Sequence, residues 1–204
     1  MWYGFENLFA MTKLQIAVAG LNGSGKTTAA KAVAKWLGYR HCSSGDYARL
    51  LAERRGMQIS VLTQVAHSDK GVDYDSVIDA WVKQHADQER FVMDTRLGIY
   101  FLPDSFKVFL TIDPHIAAER IFNDMQNNPD RSKTEKYDSV EAVYKELAKR
   151  YKADCERYQE RYNIDYKDHS ICNLVIDAGL PENTKERVQQ LIIDGFQSYL
   201  KQTV

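Results

Sequence analysis

No stretch of this 204-residue chain approaches the roughly 20 apolar residues that a membrane-spanning helix needs. Cysteine is scarce too: Cys42, Cys155 and Cys172 are odd in number and far apart, and no C-x-x-C pair occurs. That spacing argues against a disulfide framework or a thiolate metal site and makes a reducing, cytoplasmic setting the expectation. Net charge is nearly absent, with Lys plus Arg at 27 against Asp plus Glu at 28, so no nucleic-acid partner is expected. The five histidines (His41, His67, His85, His115, His169) show no metal-ligand spacing and receive no role. Internal repeats and linkers rich in Pro, Gly or Ser are missing as well, which leaves one domain over residues 13–204, expected to act as a monomer. Residues 1–12 form an apolar N-terminal extension without the basic start or cleavage site of a signal peptide. Met11 stands just before the first strand, so the extension reads as an upstream start, a packing segment or a poorly ordered tail.

The periodicity alternates between strand and helix. Leu14–Ala19 is a short apolar run ending at Gly20, as a buried parallel strand would, and helical spacing resumes from Lys26 to a stop at Gly38. Tyr39–Cys42 suits a second strand, and Ser43-Ser44-Gly45-Asp46 opens a helix closed by Gly56. Residues 59–67 and 74–88 predict two amphipathic helices. Phe91–Asp94, Phe106–Ile112 and Leu174–Asp177 are further strands. Asp113-Pro114 caps a helix to about Asn123, Ser139 starts a long one to about Tyr162, and residues 184–200 close the chain. Between them, 124–138 is polar and turn-rich, a candidate lid. The order predicts an α/β fold of three layers, a mostly parallel sheet with helices on both faces.

Gly20-Leu21-Asn22-Gly23-Ser24-Gly25-Lys26-Thr27 matches G-x-x-x-x-G-K-[ST] in full, at a strand-to-helix junction. Glycines let backbone N–H groups approach phosphate, and the following helix offers its unpaired donors and positive dipole end to the same anion. Gly20, Asn22, Gly23, Ser24, Gly25, Lys26, Thr27 and Thr28 are therefore the candidate ATP-binding set. Lys26 would reach the β- and γ-phosphates, while the Thr27 hydroxyl would ligate Mg²⁺. Asp94 ends an apolar run where a Mg²⁺-orienting acid belongs; Asp113 ends another, but reads as a helix cap. A GTPase would also carry N/T-K-x-D after a later strand, and Thr184-Lys185-Glu186-Arg187 has the wrong fourth residue.

Ser43-Ser44-Gly45-Asp46-Tyr47-Ala48-Arg49 resembles the S-x-G-x-x-x-R acceptor segment of nucleoside monophosphate kinases. With Asp94-Thr95-Arg96-Leu97, then Arg150 and Asp154, the order over about residues 13–200 resembles the short cytidylate kinases and their P-loop NTPase fold. The resemblance implies transfer of the ATP γ-phosphate, with Mg²⁺, to a nucleoside monophosphate, CMP or dCMP first among them. It implies acceptor contacts by Ser44, Gly45, Arg49 and Arg96, with Arg150 and Asp154 near them. Lys26, Arg96, Arg120 and Arg131 would meet the transferring phosphate. The departure is Thr95, where the family's short members have Gly, which bears on the acceptor base. AMP, UMP or a non-nucleotide acceptor stay open, as does a regulatory nucleotide binder with little turnover. The triple glycine of shikimate kinases and the G-F-P-R stretch of adenylate kinases are both missing.

On the long helix, Arg150, Asp154, Arg157 and Arg161 share one stripe. The neighbouring stripe of Tyr144, Leu147, Tyr151, Cys155, Tyr158 and Tyr162 reads as packing surface. Three arginines with one acid is an imbalance that bound phosphate would relieve, although an ordinary ion-paired surface would look similar.

Overall fold

The computed structural model describes residues 14–56, 73–127 and 137–202. Five strands, β1 (Gln15–Gly20), β2 (Arg40–Ser43), β3 (Phe91–Asp94), β4 (Phe106–Thr111) and β5 (Leu174–Asp177), form one sheet in the order β2-β3-β1-β4-β5. Every pairing is parallel, and β1, buried along its whole length, lies at the centre. Such a strand must be apolar toward both layers, which is why its run Ile-Ala-Val-Ala is continuous rather than alternating.

Helices cover both faces, as expected from the alternating pattern. Ile16, Val18, Val92, Val108, Leu110 and Ile176 point into one core with α1 (Lys26–Leu37) and α7 (Lys185–Gln202), which contributes Ile192, Ile193 and Phe196. Ala17, Ala19, Phe91, Met93 and Phe109 point the other way, toward Leu97, Ile99, Leu102, Tyr158 and Tyr166. Full burial of each large apolar side chain stabilises the fold by roughly 1.5–3 kcal/mol. The tyrosine stripe of α6 (Val140–Tyr162) does pack: Tyr158 is buried, and Tyr151 and Tyr162 lie against it in this second core. A third cluster joins α5 (Pro114–Asn127) to α6 through Ala118, Ile121 and Val143.

Local signals explain most boundaries. The Ser43 hydroxyl accepts from Asp46 N at the start of α2 (Ser44–Arg54), and Ser139 accepts from Ala142 N at the start of α6. The Asp113 carboxylate accepts from His115 N at 2.8 Å, the capping role expected of it.

Three helices differ from the expectation. The helix α3 (Tyr74–Lys83) stops short of residue 88: the chain tightens into turns in which His85 N, Ala86 N and Gln88 N each donate three residues back, and the buried Gln15 amide donates to the free carbonyls of Ala86 (2.9 Å) and Gln88 (2.5 Å). Conversely, α5 runs on to Asn127, since Met125 is buried, so the first residues of the expected lid are helical. A single turn, α4 (Gly98–Phe101), went unpredicted. The expected helix at 59–67, the extension 1–12, Arg131 and the middle of the expected lid lie outside the described residues.

Candidate active site

The loop between β1 and α1 is built on close backbone approach. Gly20 has φ 148°, and a Cβ there would stand 2.4 Å from the Leu110 carbonyl oxygen on β4. Leu21 N donates to that same oxygen at 3.0 Å, locking the start of the loop to the sheet. At Gly23 (φ 81°) a Cβ would sit 2.9 Å from Ala117 Cβ, so α5 also presses on the loop. No side chain caps the N-terminus of α1, leaving its first donors available to an anion. Lys26 Nζ donates to Leu21 O at 2.9 Å, folded back over the concavity. Burial lowers its pKa to about 8, and the nearby Arg96 charge adds to the effect.

Asp94, at the C-terminal end of β3, lies on the α1 side of the sheet, where Thr27 stands in the first turn of that helix. Its Oδ1 accepts from Ser43 Oγ at 3.0 Å and Oδ2 lies 3.2 Å from His41 Nε2, while the Thr27 hydroxyl stands near enough to help hold the carboxylate charged. Burial alone would raise the Asp94 pKa, but the hydrogen bonds from His41, Thr27 and Ser43 outweigh it and the net shift is downward. Thr27 and Asp94, the two expected metal residues, are thus brought together. They offer hard oxygens only, and among the described residues no group of three or more His, Cys, Asp and Glu could hold a metal. Few protein oxygens beside a phosphate cradle is the donor set that suits Mg²⁺, which keeps water and substrate phosphate for its remaining positions.

Arg96 reaches both ways. Its Nη2 donates to Asn22 Oδ1 of the loop at 3.4 Å, and its Nε lies 3.4 Å from Asp154 Oδ2 on α6. Ser44 Oγ donates to the Asp94 carbonyl at 3.5 Å, placing the start of α2 against the same strand end. Arg49 is exposed and paired with Asp46, its guanidinium folded over Gly45. Tyr47 stacks on Trp81 (4.6 Å between centroids, planes 10° apart), which fastens α2 to α3. Thr95 is turned inward, 5% exposed, with its methyl against Gly98.

Beside the loop opens a cavity of about 770 Å³, bounded by Asn22–Ala29, Arg120, Tyr137, Leu147, Arg150, Ala178 and Asn183–Lys185. Arg120 donates to Ala178 O at 2.8 Å along its wall, on the loop's side of the sheet rather than beside Ser44 and Arg49. Arg150 lines this cavity as well; it pairs with Glu146 (2.8 Å) and donates to the Tyr137 hydroxyl (3.3 Å), not to Asp154. Asp154 instead holds Arg96 and Arg157, the latter at 2.8 Å.

The charge imbalance on the long helix is relieved within the protein itself. Arg157 meets Asp75 at 3.5 Å, and Arg161 pairs with Asp73, both acids coming from the first turn of α3 and its cap. Three contributors escaped the sequence reading: His41, the α3 acids, and the cavity wall at 178–185. For His41 a signal existed, since it stands two residues before Ser43 on a strand and must share its face.

A central β1 carrying the loop, strand ends carrying Asp94 and Arg96, and helices on both faces define an ATP-using phosphotransferase of the P-loop class. A model of the AAA domain family matches residues 16–168. The cytidylate kinase of Natronomonas pharaonis is 34% identical over 166 residues, 80% of this chain and 80% of that protein. That of Methanocaldococcus jannaschii is 34% identical over 168 residues, 80% of this chain and 87% of that one. The shikimate kinase from Bacteroides thetaiotaomicron superposes with a TM-score of 0.56 at 16% identity, over 92% of this chain and 97% of its own, a likeness of fold alone. The chain belongs to the AAA-domain P-loop family and, within it, to the cytidylate kinases.

Proposed function

We propose that the protein transfers the γ-phosphate of ATP, as its Mg²⁺ complex, to a pyrimidine nucleoside monophosphate, CMP or dCMP. The observation that carries the reading is Arg96, whose guanidinium touches the phosphate loop on one side and the acid of the acceptor side on the other. A planar, permanently charged fork between two phosphate sites suits in-line transfer, where positioning and charge neutralisation do most of the work.

In this reading Gly20, Asn22, Gly23, Ser24, Gly25, Lys26, Thr27 and Thr28 cradle the donor phosphates, and Lys26 gives up its contact with Leu21 O to reach them. Thr27 and Asp94 hold the cation, which when bound offsets phosphate charge. Arg120 serves the donor along the cavity wall. Ser44, Gly45, Arg49 and Arg96 take the acceptor phosphate; Arg49 and Arg96 exchange Asp46 and Asp154 for it. Asp154, released from Arg96, remains anchored to Arg157 beside the acceptor. Arg150, on the cavity rim, approaches the nucleotide from α6. The protein acts in the cytoplasm as a monomer on small nucleotides; no helix among the described residues is long and apolar enough to cross a membrane.

The test is ADP release with CMP, dCMP, UMP, AMP, GMP and shikimate in turn. Stimulation strongest with CMP or dCMP is expected. Stimulation strongest with another acceptor would move the specificity, and none with any of them would leave a nucleotide binder without transfer.

A further inference from the structure

Strands β2 and β3 pair in parallel with Ser43 opposite Asp94 and His41 opposite Val92. Residues two apart on a strand share a face, so His41 and Ser43 both stand beside the Asp94 carboxylate and take one oxygen each, at 3.2 and 3.0 Å. Ser43 has a second task, capping α2 through Asp46 N. The His41 ring makes no other hydrogen bond among those described. Its neighbour Arg40, on the opposite face of this short edge strand, turns to solvent and pairs with Gln88. The ring is mostly buried (side chain 18% exposed) against a carboxylate that is 7% exposed. A buried carboxylate with one oxygen unpaired would be free to turn about its terminal torsion, which is broad for Asp.

We propose that His41 is a positioning residue for the cation: by donating from Nε2 to Asp94 Oδ2 it fixes the carboxylate plane, so that the remaining lone pairs face Thr27 and the donor phosphates. The inference rests on the reading of Thr27 and Asp94 as the cation's residues. It holds for either ring charge, because an Nε2–H is present in one neutral tautomer and in the imidazolium. Partners that orient a metal-binding carboxylate from behind typically carry about 10–100-fold of metal affinity.

The test compares ATP binding by the wild type, His41→Leu and His41→Gln, with Mn²⁺ (followed by its paramagnetic resonance) and with EDTA. The glutamine amide reaches about as far as Nε2 and keeps a donor. His41→Leu is expected to weaken Mn²⁺-dependent ATP binding about tenfold or more while binding in EDTA stays unchanged, and His41→Gln to restore it. Equal loss with and without metal would mark a merely structural residue and overturn the proposal. So would His41→Leu binding Mn²⁺ and ATP like the wild type, or His41→Gln behaving like His41→Leu. A wild type whose ATP binding ignores Mn²⁺ would instead sink the reading of Thr27 and Asp94, and this inference with it.

Discussion

Thr95 and Gly98 are fitted to each other: a methyl placed on Gly98 would stand 2.0 Å from Thr95 Cγ2. Gly98→Ala is therefore expected to destabilise the fold by about 1–3 kcal/mol, the usual cost of overpacking, measured by urea unfolding. Thr95→Ser removes the offending methyl and keeps the hydroxyl, so the double variant should recover most of the loss. A double variant no more stable than Gly98→Ala alone would show that the two residues are not coupled.

Gly20→Ala should be more damaging to function than to solubility. The new methyl meets backbone rather than a flexible side-chain end, 2.4 Å from the Leu110 carbonyl oxygen. Either the Leu21–Leu110 hydrogen bond or the loop's path must yield, and ATP affinity measured by calorimetry should fall at least tenfold. Wild-type affinity would mean that the loop tolerates a shifted anchor.

Lys26 links nucleotide binding to pH. Its ammonium is already present in the free protein below about 8, so binding there takes up no proton through this residue. Above that value the free lysine is neutral, a bound phosphate favours the charged form, and binding must take a proton up. Affinity should then fall as pH rises, by up to tenfold per unit. Calorimetry at pH 8.5 in buffers of different ionisation enthalpy measures the uptake, which Lys26→Met should abolish. Without ligand the sign reverses: the unfolded chain holds this proton more tightly between about 8 and 10.5, so the empty fold gains stability across that window.

Arg49→Ala should raise the KM of the acceptor roughly 10–100-fold while the KM of ATP stays put, the effect of losing a charge-assisted contact of about 1.5–3 kcal/mol. Steady-state kinetics with each substrate varied decides it. Parallel loss for both substrates would mean that Arg49 supports the fold instead.

The clasp between α3 and α6 should respond to acid. The hydrogen bond from Arg161 is the main cause holding the Asp73 pKa down at about 2, with Ser76 assisting. A depressed carboxylate contributes stability that is complete above its unfolded value near 3.8 and disappears as pH falls toward 2. The pair is partly solvated, so Asp73→Asn should cost under about 1 kcal/mol at neutral pH. The gap between variant and wild type in thermal unfolding should close on acidification through that window; a gap unchanged by pH would place the effect elsewhere.

Much of this architecture was legible because its signals are local. The run before Gly20, the Ser43 and Ser139 caps and the stop at Gly38 each act within a few residues, and β1, α1, α2 and α6 follow from them. Thr27 and Asp94 could be paired in advance because the loop motif fixes one and the end of an apolar strand the other. What stayed hidden depends on contacts across the fold. The α3 acids neutralise Arg157 and Arg161 from more than 80 positions away, so the helix taken alone carries an apparent excess of positive charge that phosphate or an ion-paired surface would equally explain. The grip of Gln15, on β1, on the carbonyls of Ala86 and Gln88 likewise spans more than 70 positions. Thr95 reads as an obstruction until Gly98 is seen to accept its methyl.

The order of the strands divides the molecule by how freely it can change. The phosphate loop grows from β1, flanked on both sides and welded to β4 at Leu110, whereas α2, the helix proposed to take the acceptor, hangs from β2, the outermost strand, with one neighbour. Substitutions on the rim need not disturb the hub. A lineage, or an engineer, can therefore retune what receives the phosphate by rewriting one flank while the machinery that delivers it stays as it is.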